Sequence, residues 1–476
     1  MQMPETGTGY SRCYMKRLLP YIIILPAVIV FFGCKKGSFI TDKAAALTIT
    51  ADTLSFDTVF TSVGSVTQNF TIVNPNNRKL KLNKVRLMGG SNSPYKINVD
   101  GIASTEVHDV EINAGDSVYV FVSVTVDPSS SRIPFIVSDS ILIEYNGNER
   151  YVQLEAYGQN AHFLKNYVID ADATWKNDLP YVVSGGLLIK EDATLTIEKG
   201  CRVYMHANAP VMVDGSMVVN GTKADSVTFG GDRLDEPYRD LPASWPGIYF
   251  SEKSRDNVLT YAIVKNAYQG IICTAPSVSN APKLRMNACM IDNIYDAGIV
   301  ALGSSISAVN CLISNCGSNI SITAGGTYDF TFCTIASFGN SYIEHKQPVT
   351  YINNFDDAGN NYPLSAIFKN CIIWGDGGSI ENEVLAEKKG DSNMEVLLDH
   401  SLYKAKSIAG LITLDNSIAN QDPAFDSINT ARHYFDFHIG KNASPAINAG
   451  VITAVTADRD DNPRDDKPDL GCYEKQ

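Results

Sequence analysis

Asp458, Asp460 and Asp461 open an acidic run that continues through Asp465, Asp466 and Asp469. Alternating carboxylate oxygens can hold Ca²⁺, so Asp458, Asp460 and Asp461 are the candidate metal ligands, and Ca²⁺ is the one cofactor the residues suggest. Arg459, Arg464 and Lys467 are interleaved with them, a pattern that equally suits a salt-bridged segment covering the last open edge of a fold. Lys265, Asp292 and Asp296 form a second set. Lyase chemistry needs a base to remove the proton beside a uronate carboxylate, and acids that hold Ca²⁺ against that carboxylate, although scattered outward charges are usually only solvated. Glu344 and His345 suit acid–base transfer. Asp356 and Asp357 are neighbours and point apart if extended, so no spacing selects the two carboxylates, about 5–9 Å apart, that glycoside hydrolysis uses. Trp245, Tyr249, Tyr268, Tyr295 and Trp374 offer rings that stack on sugars. Tyr268 and Tyr295 each follow an asparagine by two residues. Trp245, Tyr268, Tyr295, Glu344 and His345 are therefore the candidate binding residues. No residue is assigned as catalytic, because no phosphate-binding glycine loop, zinc spacing or nucleophile triad appears.

A repeat must position these side chains. Cys289-Met290-Ile291-Asp292-Asn293, Cys311-Leu312-Ile313-Ser314-Asn315 and Cys333-Thr334-Ile335-Ala336-Ser337 recur at intervals of 22 residues, as in a solenoid whose turns touch only their neighbours. Ala262, Cys289, Cys311, Cys333 and Cys371 make one column. Val264, Ile291, Ile313, Ile335 and Ile373 make a second, and Asn266, Asn293, Asn315 and Ser337 a third. A period of two sends all three to one side, and the apolar pair makes that side the interior. The asparagines are expected to hydrogen-bond along the stack. Coils about 4.8 Å apart with parallel Cβ vectors do not suit disulfides, which need converging Cβ atoms about 3.8 Å apart. The cysteines read as small buried hydrophobes, and Cys311 with Cys316 is the one pair worth testing for a bond. Cys333 to Cys371 is 38 residues. The excess over one coil is expected as a loop holding residues 342–346 and 353–361, and insertions in solenoids tend to project on a functional face.

Residues 47–162 alternate apolar and polar side chains in runs such as Asn69-Phe70-Thr71-Ile72-Val73 and Ser117-Val118-Tyr119-Val120-Phe121-Val122, split by turns at Asp100-Gly101 and Asn146-Gly147-Asn148. That is a β-sandwich pattern, and the missing Cys-Trp-Cys arrangement excludes a true antibody-type domain. From residue 163 short apolar runs such as Leu187-Leu188-Ile189 and Val211-Met212-Val213 follow one another without helices. Parallel neighbours without crossover helices require the chain to wind into a β-helix.

Gln421-Asp422-Pro423-Ala424-Phe425, Ser444-Pro445-Ala446-Ile447-Asn448-Ala449-Gly450, Asp458-Arg459-Asp460-Asp461-Asn462-Pro463-Arg464 and Asp469-Leu470-Gly471-Cys472-Tyr473-Glu474 together resemble the closing signature of right-handed parallel β-helix repeat proteins of the pectate-lyase-like superfamily. Asp461 departs from a common Gly and Cys472 from a common Ala. The resemblance covers residues 163–476 and implies an all-β chain: the N-terminal β-sandwich, a right-handed parallel β-helix over 163–450 and a capping segment over 451–476. That superfamily includes polysaccharide lyases, glycosidases and epimerases, so fold alone selects no activity. The sandwich resembles the immunoglobulin-like domains that precede other bacterial surface modules. Met15-Lys16-Arg17, the apolar residues 18–32 and Gly33-Cys34 resemble a bacterial lipoprotein signal, too short and Pro-interrupted to favour a membrane span. Residues 1–33 would then be a signal peptide with its true start at Met15, Cys34 the lipidated residue, and 34–46 a tether. The implied location is the cell envelope at the outer membrane, on either face.

Lys and Arg total 39 against 52 Asp and Glu, a net charge of −13, which argues against nucleic acid and against binding an anionic membrane face through basic patches. The expected partners are a membrane, through the lipid anchor, and a polysaccharide or other surface polymer bound by the β-helix without catalysis. The alternative is a polysaccharide lyase or glycosidase on the same face.

Overall fold

A computed structural model describes residues 38–60, 67–126, 135–440 and 443–475. The signal segment and Cys34 lie outside these residues. The chain divides into two compact units.

The first is a β-sandwich of two five-stranded sheets. One orders Thr48–Ile49, Gln68–Val73, Ser117–Val124, Tyr95–Val99 and Ile102–Ala103; the other orders Thr53–Phe60, Asn148–Gln159, Phe135–Tyr145, Leu80–Leu87 and Glu106–Ile112. Alternation produces the layers: Val118, Val120 and Val122 are buried, while Tyr119 and Phe121 point out. The stretch read as a tether is fastened from Phe39 onward, since Ile40 donates to the Lys79 carbonyl and the Asn146 amide donates to the carbonyls of Ile40 and Asp42.

The second unit is a parallel β-helix in which 26 strands form one continuous winding sheet. Three faces recur. Sheet I holds Ala262–Lys265, Met290–Asp292, Leu312–Ser314, Thr334–Phe338 and Ile372–Asp376. Sheet II holds Val211–Val213, Ile248–Phe250, Ile271–Thr274 and the first halves of Ala297–Val309 and Ser318–Thr331. Sheet III holds Asn257–Thr260, Leu284–Asn287, the second halves of those two long strands, and Leu364–Lys369. The expected apolar column is in register, Val264 to Ile291 to Ile313 to Ile335 to Ile373, and it is buried in one core with Cys289, Cys311, Cys333 and Cys371. Cys311 and Cys316 are both free and buried.

The asparagine column bonds along the stack as expected, Asn293 donating to Asn266 and the Phe338 amide to Asn315, but it reaches toward outer loops instead of the apolar interior. Asn266, Asn293 and Asn315 stand one residue beyond their strands with φ of 62°, 58° and 51°, so the alternation that would turn them inward has ended. They occupy left-handed bends, which asparagine tolerates better than other non-glycine residues. Asn293 does donate to Asn266 at 2.8 Å, but it also donates to the Asp240 carbonyl, and Asn315 donates to Asp292. The column thus turns the chain and ties down outer loops.

Two further expectations change. The extra residues after Cys333 split between two bends, 339–349 before Thr350–Asn353 and 354–363 after it. The C-terminal segment covers a side of the helix instead of its last open edge: Phe425, Phe437, Ile439 and Leu470 pack on Leu312, Ala336, Ile372 and Trp374 of sheet I. Tyr261, Asn310, Thr334 and Asn370, from four different coils, all bond to it. The outward residues Met290, Leu312, Ala336, Ile372 and Trp374 of sheet I are apolar and need such a cover.

Candidate functional site

The bend from sheet I to sheet II builds the most exposed aromatic surface of the β-helix. Trp245-Pro246, Ala267-Tyr268-Gln269 and Ile294-Tyr295-Asp296 stack as successive bends, with Tyr268 donating its amide to the Trp245 carbonyl and Tyr295 to the Ala267 carbonyl. After the left-handed Asn266 and Asn293 the chain first buries Ala267 and Ile294 and then turns Tyr268 and Tyr295 outward. Tyr268 is 47% and Tyr295 52% exposed, and their rings stack with centroids 5.7 Å apart at 26°. On the following coil the same place is Gly317, where a Cβ would meet the Asp296 and Tyr295 carbonyl oxygens at 2.5 Å, so no side chain covers Tyr295 from that side.

A polar row runs beside the rings. Gln269 donates to Asp296 at 2.8 Å. Tyr249, on the outward side of sheet II, keeps its phenol proton: burial raises its pKa, with Tyr268 and Asp296 adding to the shift. The loop before Trp245 is pinned at the same bend by Asn266 and Asn293, which donate to the Arg239 and Asp240 carbonyls. Flat rings beside an amide and a carboxylate suit a ligand with apolar ring faces and hydroxyl edges.

The other candidates fare differently. Trp245 is 1% exposed, sits in the core and donates its indole N–H to the Lys265 carbonyl, so it offers no stacking face; its side chain points inward from the bend that Tyr268 leaves outward. Trp374 is buried under the C-terminal segment. Glu344 and His345 part company: the Glu344 side chain is 67% exposed and pairs with Lys346, whereas that of His345 is 1% exposed and bonds the buried Glu383 at 2.9 Å. They are no acid–base pair. Asp292 is held by Lys265, Ser314 and Asn315. Asp356 accepts from Asn360 and Tyr362, and those hydrogen bonds lower its pKa.

Asp458, Asp460 and Asp461 diverge. Asp458 is buried and accepts the amides of Asp460, Asn462 and Glu474; Asp460 approaches Lys223 and His438, and Asp461 accepts from the Tyr261 hydroxyl. Among the described residues no three His, Cys, Asp or Glu side chains are grouped to hold a metal. The acidic turn spends its oxygens on backbone amides and on neighbouring coils, which sequence spacing does not reveal. Sequence reasoning also passed over Gln269, whose partner Asp296 is one coil away and visible only once the coils are in register.

No protein-family profile matches the chain, and no curated protein sequence matches it. Among solved structures, 74% of the chain aligns with 89% of the catalytic unit of a thermostable GH87 α-1,3-glucanase from Streptomyces thermodiastaticus, at 10% identity and a TM-score of 0.25. A family 123 glycoside hydrolase from Clostridium perfringens aligns at 9% identity and a TM-score of 0.18, over 26% of this chain and 31% of that enzyme, so the chain spans under a third of its length. A PapD-like domain of human CEP192 aligns over 25% of this chain and 89% of its own, at 8% identity and a TM-score of 0.18. At these scores the reading of the site rests on its own geometry.

Proposed function

We propose that the chain is an exported, lipid-anchored cell-envelope protein whose β-helix binds a polysaccharide or other surface polymer at the Tyr268–Tyr295 platform, without carrying out chemistry there. The observation that carries this reading is the pair of stacked, half-exposed tyrosine rings on consecutive coils with Gln269 and Asp296 alongside. Stacked rings on a rigid solenoid present a flat surface with little ordering cost, the condition under which a few aromatic contacts dominate affinity.

The non-catalytic part of the reading is supported by the fate of the carboxylates. Asp292, Asp356 and Glu383 are each committed to internal partners. Glu474 is raised to about 7 by burial, with Asp469 adding and Arg464 opposing, yet it is enclosed with Arg464 and is not placed to protonate a leaving group. Export and the lipid anchor are supported by residues 15–34 of the sequence; in this reading the β-sandwich serves as a spacer.

The test is retention of the full chain on immobilised glycans, with product analysis for new reducing ends and unsaturated sugars. Retention without products is expected. Products made by the wild-type chain and lost on substituting surface carboxylates would overturn the non-catalytic reading.

A further inference from the structure

A second surface lies at the bend from sheet II to sheet III. Ala275, Gly303 and Ala324 are the bend residues of three consecutive coils, with φ of 60°, 57° and 60°. Left-handed backbone is uncommon for alanine. Of the other two bend columns, one holds Asn266, Asn293 and Asn315 and the other Tyr261, Ala288, Asn310, Phe332 and Asn370, so larger side chains predominate there. At this corner three consecutive bend residues carry nothing beyond Cβ.

What the small residues leave is a groove of about 560 Å³. Pro276 belongs to the first of its coils, and Tyr362 with Pro363 to the coil after Ala324, so rings stand toward both ends of the floor. Tyr362 is held in place by its hydroxyl, which donates to Asp356 at 2.8 Å, and Asp356 in turn is bound by Asn360. The insertion 354–363 therefore builds a fixed wall. Ser305, Thr327 and Ser365 are register neighbours on sheet III and all line the groove, which sets hydroxyl-bearing residues one coil apart, about 4.8 Å. That spacing is close to the advance of one pyranose unit along an extended glycan. No charged side chain lines the groove.

We infer that this groove is a binding site for a neutral hexose oligosaccharide running along the helix axis, its ring faces against Pro276 and Tyr362 and its hydroxyls on Ser305, Thr327 and Ser365. A uronate chain would find no cation here and would meet a protein of net charge −13. The inference stands on these residues alone and does not rest on the tyrosine platform, which lies at the opposite edge of sheet II.

The experiment is calorimetric titration of the full chain with cello-, laminari-, malto- and mannohexaose, and with hexagalacturonate as the charged comparison. Ala324→Asn and Ala275→Asn fill the floor with a residue that accepts left-handed backbone, so unchanged melting temperatures are expected. Binding of at least one neutral hexamer, weakened tenfold or more in both variants and retained in Tyr268→Ala, is the expected result. Equal affinity in both Asn variants overturns the groove, and if Tyr268→Ala alone abolishes binding, the ligand belongs to the platform. Binding of hexagalacturonate only, or of no probe at millimolar concentration, also overturns it.

Discussion

The backbone amide of Cys333 points at the sulfur of Cys371 on the next coil, 3.4 Å away, and the Cys371 thiol in turn donates to the Phe330 and Lys369 carbonyls at 3.3 Å. Cys289 repeats the pattern with the Leu259 carbonyl. Burial pushes the thiols of Cys289, Cys311 and Cys333 well above the usual range, and a protonated thiol is a poor nucleophile. All eight described cysteines are free and buried. They should resist a maleimide in the native protein at neutral pH and label fully in denaturant, as read by intact mass. Rapid native labelling of these positions, or a bond between Cys311 and Cys316, would contradict the packing.

Ile313 lies between Ile291 and Ile335 in the core, so Ile313→Ala should cost about 3 kcal/mol through lost burial and a cavity that flanking coils cannot fill. Asn293→Val should cost about 2 kcal/mol, because a β-branched residue is placed at φ 58° and the bonds to Asn266 and Asp240 are lost. Asn293→Gly, which accepts that backbone, should recover about half of the loss. Denaturant titrations measure both.

The columns were legible because a buried, period-two strand repeats its residue type whenever the coil length repeats: Cys289, Cys311 and Cys333 announce the winding by themselves. The bends were not legible in the same way. Asn315 shares the parity of Ile313 but lies past the strand end, where a left-handed residue resets the direction of the chain. Trp245 and His345 turned inward for the same reason, being bend and loop residues whose direction no alternation governs. Tyr268 and Tyr295 stand out in the sequence because they repeat on two coils. The groove of Ala275, Gly303 and Ala324 carried no signal, since small residues look like nothing until their neighbours in register are known.

Arg464 holds the C-terminal segment to the helix. It pairs with Glu474 at 2.7 Å, donates to the Gly471 carbonyl and to Asn310 at the bend from sheet III to sheet I, and lies 3.7 Å from the Phe332 ring centroid. Arg464→Met would leave Glu474 buried without its counter-charge, a change expected to cost about 3–5 kcal/mol. Limited proteolysis should then cut within residues 421–475 before the coils. Cleavage at the wild-type rate would mean that the apolar contacts of Phe425 and Phe437 suffice.

Acid should loosen the coil that carries Asp399. Burial alone would raise its pKa, but hydrogen bonds from His400 and Lys369 outweigh burial and lower it below the unfolded value of 3.8. The stabilisation is therefore present in full above about pH 4 and is lost as pH falls through the lower folded value. Melting temperature followed from pH 5 to pH 2 should fall less steeply in Asp399→Asn than in the wild type; parallel slopes would show that the carboxylate is not selectively stabilised.

The binding reading depends most directly on two rings. Affinity electrophoresis of the full chain through gels loaded with a polysaccharide that retains it should show retention lost in Tyr268→Ala/Tyr295→Ala, with each single variant about thirty-fold weaker, the effect of removing an aromatic contact worth about 2 kcal/mol. Circular dichroism should be unchanged, because both side chains are exposed. Undiminished retention of the folded double variant would contradict the account.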